Sequence, residues 1–385
     1  MRAIDMHTTA AHPTEALREA DRLMVICNSC RYCEGLCAVF PAMERRRLFS
    51  DGDLNFLANL CHGCGACFSD CQFSPPHEFS VNVPRTLAQV RGDTYAAYAW
   101  PRAFSGIFAR NGLAIAIIAA LSVAAFILGF VAYRDPAVLF GVHNGPGAFY
   151  RLMPHNAMVA LFGGVSVYAV LALTLSMRIF WRDISGGAPI GGLSALVQAI
   201  KDAGRLRYLD GGKAGCMNDD DAPNDRRKHY HHATFYGFLL CFASTSVATA
   251  YHYFLGREAP YPWWDLPVVL GTLGGAGLVI GPIGLLAAKL KRAPELTYEG
   301  NFGMDVAFIV MLLLTSVTGL ALLLLRATSA MGILLALHLG VVFALFLTMP
   351  YGKFVHGLYR FLALVQHARE SKERHRGKLV LKSGS

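Results

Sequence analysis

Cys27, Cys30, Cys33 and Cys37 stand at C-x2-C-x2-C-x3-C spacing, and Cys61, Cys64, Cys67 and Cys71 repeat that spacing. Eight of the ten cysteines are used in this way. A cubane [4Fe-4S] cluster needs four thiolates around one small volume, and three closely spaced cysteines on a tight turn supply three of them. In a doubled motif the fourth ligand comes from the other set. The expected sets are therefore Cys27, Cys30, Cys33 and Cys71 for one cluster, and Cys37, Cys61, Cys64 and Cys67 for the other. The usual proline after the fourth cysteine is replaced by Ala38 and Gln72. Proline there shapes the turn without ligating, so the motif survives. A disulfide framework fits poorly, because residues 1–22 are polar and charged with no apolar signal segment. Zinc would use two C-x2-C pairs and leave cysteines over.

Helices must position these thiols. Apolar residues at helical spacing over 17–25 and 54–60 lead directly into the two motifs, and 42–49 continues helically from the first. Strand signals are poor. Residues 1–110 thus read as a cytoplasmic, α-helical, two-cluster ferredoxin-like domain, and the run Arg45-Arg46-Arg47 reads as a solvated face.

The remainder is suited to a different solvent. Hydrophobic residues make up 54% of the chain and charged residues 16%, and the apolar excess is concentrated after Asn111. Six segments are long enough to cross a bilayer: 112–133, 155–180, 231–255, 266–290, 302–325 and 331–350. The fourth is glycine-rich, which predicts close helix packing, and Pro350 predicts a kink. The all-α architecture expected is a ferredoxin-like domain followed by a six-span bundle over 111–365. That bundle includes a cytoplasmic loop and interfacial helix at 182–229, and a basic cytoplasmic tail follows at 366–385.

The net charge of +9 does not suggest nucleic acid, because the basic residues lie in loops beside apolar runs. The loops after the second and fourth spans and the tail are rich in Lys and Arg, among them Lys213, Arg374, Arg376, Lys378 and Lys382. The intervening loops carry only Arg134, Arg151, Arg257 and Arg326. This alternation predicts both termini in the cytoplasm, where thiolates stay reduced. Within 190–209, Leu193, Leu196, Val197, Ile200 and Leu206 form an apolar stripe opposed by Gln198, Lys201, Asp202, Arg205 and Arg207. It suits either the membrane interface or the underside of the cluster domain. Residues 210–225 read as a flexible loop, and Cys216 and Cys241 as ordinary thiols.

Ionisable side chains at membrane depth are costly and usually functional. The candidates are His155, His231, His232, His252, His338 and His356. A b-type haem takes axial imidazoles from facing helices at one depth. His338 and His356 would lie about 27 Å apart and on one face of a continuous helix. Depth matching pairs His252 with His338 on the outer side and His231 with His356 on the inner side. His155 is an alternative outer ligand and His232 an alternative inner one. One or two haems are expected.

The paired cysteine motifs, the segment Pro75-Pro76-His77-Glu78-Phe79 and the histidine-bearing six-span region together resemble the tricarballylate-utilisation protein B family, also called citrate-utilisation protein B. The resemblance covers essentially the whole chain, and the membrane part is also similar to nitrate reductase gamma-type b-haem subunits. It implies a multi-pass protein of the bacterial inner membrane that reoxidises the flavin of a cytoplasmic FAD-dependent tricarballylate dehydrogenase. Electrons would pass through the clusters and haem to the quinone pool. No nucleophile or general-base constellation is visible, so no catalytic side chain is expected, and the chain reads as an electron-transfer component and not a stand-alone dehydrogenase. The alternatives are a quinone-linked subunit of another dehydrogenase or of a heterodisulfide-reductase-like complex, and a transporter or sensor regulated by its clusters. A transporter usually shows repeated halves, and none is evident.

Overall fold

The computed structural model describes residues 12–211, 215–217 and 224–383. Lys213, most of the 210–225 loop, and the side chains of Arg374, Arg376, Lys378 and Lys382 lie outside the described residues. Among the described residues there is no strand, only one isolated bridge between Cys216 and Asn224.

The N-terminal domain is built from short helices. Thr14 caps α1 (Glu15–Cys30), accepting a hydrogen bond from the Leu17 amide, and Arg31 ends it in the left-handed conformation. That turn redirects the chain immediately after Cys27 and Cys30. The next helix, α2 (Val39–Met43), is shorter than the apolar pattern over 42–49 predicts. Ser50 and Asp53 form a capping box at the start of α3 (Asp51–Leu60), which delivers the chain to Cys61. Gly63 and Gly65 follow at positive φ, a conformation glycine adopts without penalty. They curl the loop into α4 (Ala66–Ser69), which carries Cys67. Asn82 caps α5 (Val83–Ala97), which lies across α1 and α3. Leu23, Met24, Leu54, Leu57, Leu60 and Leu87 fill the space between these helices.

The membrane part comprises α6 (Asn111–Tyr133), the short α7 (Pro136–Leu139) and α8 (Ala148–Leu152), α9 (His155–Ile184), α10 (Leu193–Gly204), α11 (Arg226–Leu255), α12 (Leu266–Leu290), α13 (Phe302–Leu325), α14 (Met331–Thr348) and α15 (Val355–Ser383). Six helices, α6, α9 and α11 to α14, are long and apolar enough to cross a membrane. At the centre is α14, packed on α6, α9 and α13 and far more buried than α11. The glycine-rich α12 packs closely on α11. A Cβ at Gly274 would come within 2.8 Å of the Cys241 amide nitrogen, and one at Gly237 within 2.9 Å of the Gly274 oxygen. Small residues therefore allow the backbones to touch.

At Pro350 the chain does more than kink. Met349–Tyr351 forms a 3-10 turn, and a new helix begins at Val355. Proline has no N–H to continue the helical ladder. His338 and His356 therefore lie on different helices, not on one face of a single helix. The last helix then runs beneath the N-terminal domain, packing on α3, α9 and α10, and the tail expected over 366–385 is its continuation as far as Ser383.

Arg46 helps hold the two parts together. It bonds Asp53 at 2.5 Å and Glu370 of α15 at 2.7 Å, and lies over the Phe56 ring. The expectation of a solvated arginine run fails at this residue, because two carboxylates and an aromatic face draw it inward. The side of α10 that packs, on α15, is not the apolar stripe. Ala195, Ala199 and Asp202 are buried, while Leu193, Val197 and Ile200 stay exposed as an apolar face.

Candidate redox sites

Two clefts in the N-terminal domain collect the cysteines. The first is lined by Cys27, Cys30, Cys33, Cys67 and Cys71, with Ile26, Phe40, Phe73 and Val81 as apolar walls. The second is lined by Cys37, Cys61, Cys64 and Cys67, beside Gly63, Gly65 and Pro84. The second thus draws three thiols from one motif and one from the other, and the first draws three from one motif and two, Cys67 and Cys71, from the other. The last turn of α1, the glycine loop and α4 bring them there.

The donor chemistry fits an iron–sulfur cage. Burial and the neighbouring Cys33, Cys71 and Cys30 push the Cys27 thiol up to about 12. Burial and Cys71 push Cys33 to about 11, and burial raises Cys64 to about 11. Cys37 and Cys67 are also raised, by burial first and then by the thiols around them. Buried thiols that oppose one another's ionisation require a cationic core before they can become thiolates. Among the described residues no three ligand side chains converge as tightly as around a single ion. A four-iron cage holds its thiolates further apart than that.

Arginines from four segments grip the second site. Arg91 of α5 donates to the Ala58 and Cys61 oxygens at 3.0 and 2.8 Å. Arg360 of α15 donates to the Cys61 oxygen at 2.8 Å. Arg292, after α12, donates to the Gly63 oxygen at 2.7 Å. Arg227 of α11 donates to the Gly63 and His62 oxygens at 3.1 and 3.2 Å. His62 is buried beneath them, its Nδ1 2.9 Å from the Leu60 oxygen. Its burial and the charge of Arg360 hold the ring neutral. The motif pattern does not point to these arginines, which look like ordinary cytoplasmic-side charges. A signal was available in two helical-turn spacings, Arg227 to His231 and His356 to Arg360. Cys216 also belongs here. It is buried near Cys64 and donates to the Leu209 oxygen at 3.1 Å.

Beneath this site the rings of His231 and His356 stand edge to face, with centroids 6.2 Å apart and planes at 68°. A metal–imidazole bond of about 2 Å, plus about 1 Å from nitrogen to ring centre on each side, places two axial imidazoles about 6 Å apart. His356 directs Nδ1 to the Lys353 oxygen at 2.5 Å, which orients the ring and leaves Nε2 for a ligand. Among the described residues the buried Nδ1 of His231 has no hydrogen-bond partner. These two imidazoles could hold a haem iron between them. His232 turns away, onto Tyr236.

The outer candidates are arranged otherwise. His252 stacks on His155 at 4.0 Å, too close for an iron between the rings. His338 hydrogen-bonds Thr318 at 3.0 Å and packs against Gly319. Among the described residues no ring contact joins His252 to His338. Depth along the helices did not anticipate this, because the loop before α9 folds His155 over the end of α11.

A ferredoxin-like cysteine domain docked on six apolar helices defines a membrane protein with an iron–sulfur electron-transfer role. The family pattern of Citrate utilization protein B matches residues 107–377, and that of the Citrate utilization protein B Fer4-like domain matches residues 20–97. Citrate utilization protein B of Escherichia coli is 49% identical over 363 residues, covering 93% of this chain and 94% of that protein. No solved structure matches. The chain belongs to the citrate utilization protein B family.

Proposed function

We propose that this chain carries electrons from the reduced flavin of a cytoplasmic FAD-dependent tricarballylate dehydrogenase to the quinone pool of the bacterial inner membrane, with both of its termini in the cytoplasm. Cys27, Cys30, Cys33 and Cys71 would hold one [4Fe-4S] cluster, and Cys37, Cys61, Cys64 and Cys67 the other. His231 and His356 would hold a b-type haem. These groups, when bound, supply reversible one-electron transfer. The protein's own work is to fix their order. Cys30 is exposed and Cys61 buried, so the first site faces an incoming partner and the second faces the membrane domain.

One alignment carries the reading. Arg227 and Arg360 each grip the loop of the second site, and each stands one helical turn from a histidine of the 6.2 Å pair. The order from exposed thiols to buried thiols to paired imidazoles is what a flavin-to-quinone path requires.

The test is anaerobic purification followed by iron and haem analysis. The expected result is two four-iron EPR signals after dithionite and b-type absorbance, all reoxidised by a soluble quinone analogue. Protein with clusters that quinone cannot reoxidise would overturn the proposed acceptor, and protein without clusters would overturn the whole reading.

A further inference from the structure

The arginines around the second site pose an electrostatic problem. Arg91, Arg227, Arg292 and Arg360 crowd the chain at 58–63, and every acceptor they reach there is a neutral backbone carbonyl. None of the four forms an ion pair among the described residues. Burial and mutual repulsion push Arg292 and Arg360 down to about 10. Unpaired buried cations cost several kcal/mol each unless an anion compensates them. The groups at hand to do so are Cys61 and Cys64, thiolates when a cluster is bound, with the Cys216 sulfur 4.0 Å from Arg227 beside them.

The first site has the opposite surroundings. Asp70 is the charged neighbour of Cys33, and Arg31 is exposed, bonding Asn28. An iron–sulfur cluster held by four thiolates is net negative and becomes more so when reduced, so surrounding charge sets which site holds the electron. Burial alone would make the second site harder to reduce. Four cations close to it act in the other direction, and more strongly than they would in water. A hydrogen bond from the Gly63 amide to the Cys61 sulfur, at 3.3 Å, adds to them.

Resting on the iron–sulfur reading of the two cysteine sites, we infer that Arg91, Arg227, Arg292 and Arg360 are the counter-charge of the second cluster and make it the more readily reduced of the two. One electron then leaves the first site and arrives at the second, with no proton required, and the bias points toward the membrane. Three of the four arginines belong to the membrane part (α11, the segment after α12, and α15). Only the docked arrangement therefore creates this bias, and the arginines act as positioning residues for the electron path.

Redox titration of the full-length protein followed by EPR reads this directly. Arg292→Gln and Arg360→Gln should each lower the reduction equilibrium of the higher-potential signal by about tenfold, which is about 59 mV for one electron. The lower-potential signal should stay in place. Arg292→Lys, which keeps the charge, should keep the potential, and Asp70→Asn should raise the lower-potential signal alone. The inference is overturned if both signals ignore the glutamine variants, if the lower-potential signal is the one that moves, or if lysine and glutamine at 292 lose cluster iron equally. Wild-type protein with no cluster signal would instead remove the functional reading on which it rests.

Discussion

His231 on α11 and His356 on α15 meet ring to ring at 6.2 Å, and they do so because the chain breaks at Pro350. Had α14 continued through that point, His356 would have stayed on the axis of α14 below His338. Instead the 3-10 turn at Met349–Tyr351 releases α15, which turns beneath the cysteine domain. One proline thus serves both the docking of the two parts and the pairing of the two histidines.

The pair can be tested by spectroscopy. His356→Ala and His231→Ala should each abolish b-type haem absorbance while leaving both cluster EPR signals. His338→Ala should retain the absorbance, since His338 is held by Thr318. Haem loss in the His338 variant with retention in the His356 variant would reassign the ligands.

The crossed cysteine sets predict a particular loss. Cys64→Ser should remove the cluster of the second site and reduce non-haem iron from about eight to about four per chain. Cys71→Ser, although it lies in the same motif, should instead remove the other signal. Loss of the same signal in both variants would mean that each motif keeps its own four ligands.

Some of this was legible from the residues alone. Cysteine grouping follows from local spacing, and a membrane span is a property of about 20 consecutive residues, so both can be read along the chain. The histidine partners could not be read that way. His252 faces His155 because of the loop between α8 and α9, and the His231 pairing depends on the turn at Pro350. Arg91, Arg227, Arg292 and Arg360 are far apart in sequence and have no shared motif. Arg46 was misleading for a related reason: its neighbours Arg45 and Arg47 are exposed, and one of the carboxylates that draw it inward, Glu370, comes from the far end of the chain.

The Arg46–Glu370 contact should be energetically important. The side chains are 11% and 10% exposed, and removing one partner of a largely buried ion pair costs about 3–5 kcal/mol. Glu370→Ala should therefore lower the melting temperature and expose α15 to protease. The double variant with Arg46→Ala should be less damaging than the sum of the two single variants. Additive losses would show that the contact carries little.

Acid should weaken the same junction. Burial holds His367 of α15 below the ordinary histidine range, with Glu370 and Asp202 opposing in part. The unfolded chain then takes up a proton at about pH 6.5 that the folded chain resists. The contribution to stability is present above that pH and is lost as pH falls toward the folded value. Melting temperature should drop between pH 7.5 and 5.5, and the drop should be shallower in His367→Gln.

At the end bearing the cysteine domain, Lys289 and Lys353 share Asp305 at 2.7 Å each, and Arg227, Arg292 and Arg360 grip the second site. At the other end Arg257 pairs with Asp265, Arg326 lies over Trp263, and Tyr133, Tyr253 and Trp264 are exposed, as suits an aromatic girdle at a membrane surface. Excess positive charge therefore collects on the cysteine side, which predicts that this side is cytoplasmic. With Cys216 and Cys241 replaced, a cysteine introduced at Asn144 should react with an impermeant thiol reagent in intact cells. One introduced at Lys291 should react only after the cells are opened. The reverse pattern would place the cluster domain outside, cut it off from a cytoplasmic flavoprotein, and overturn the proposed electron donor.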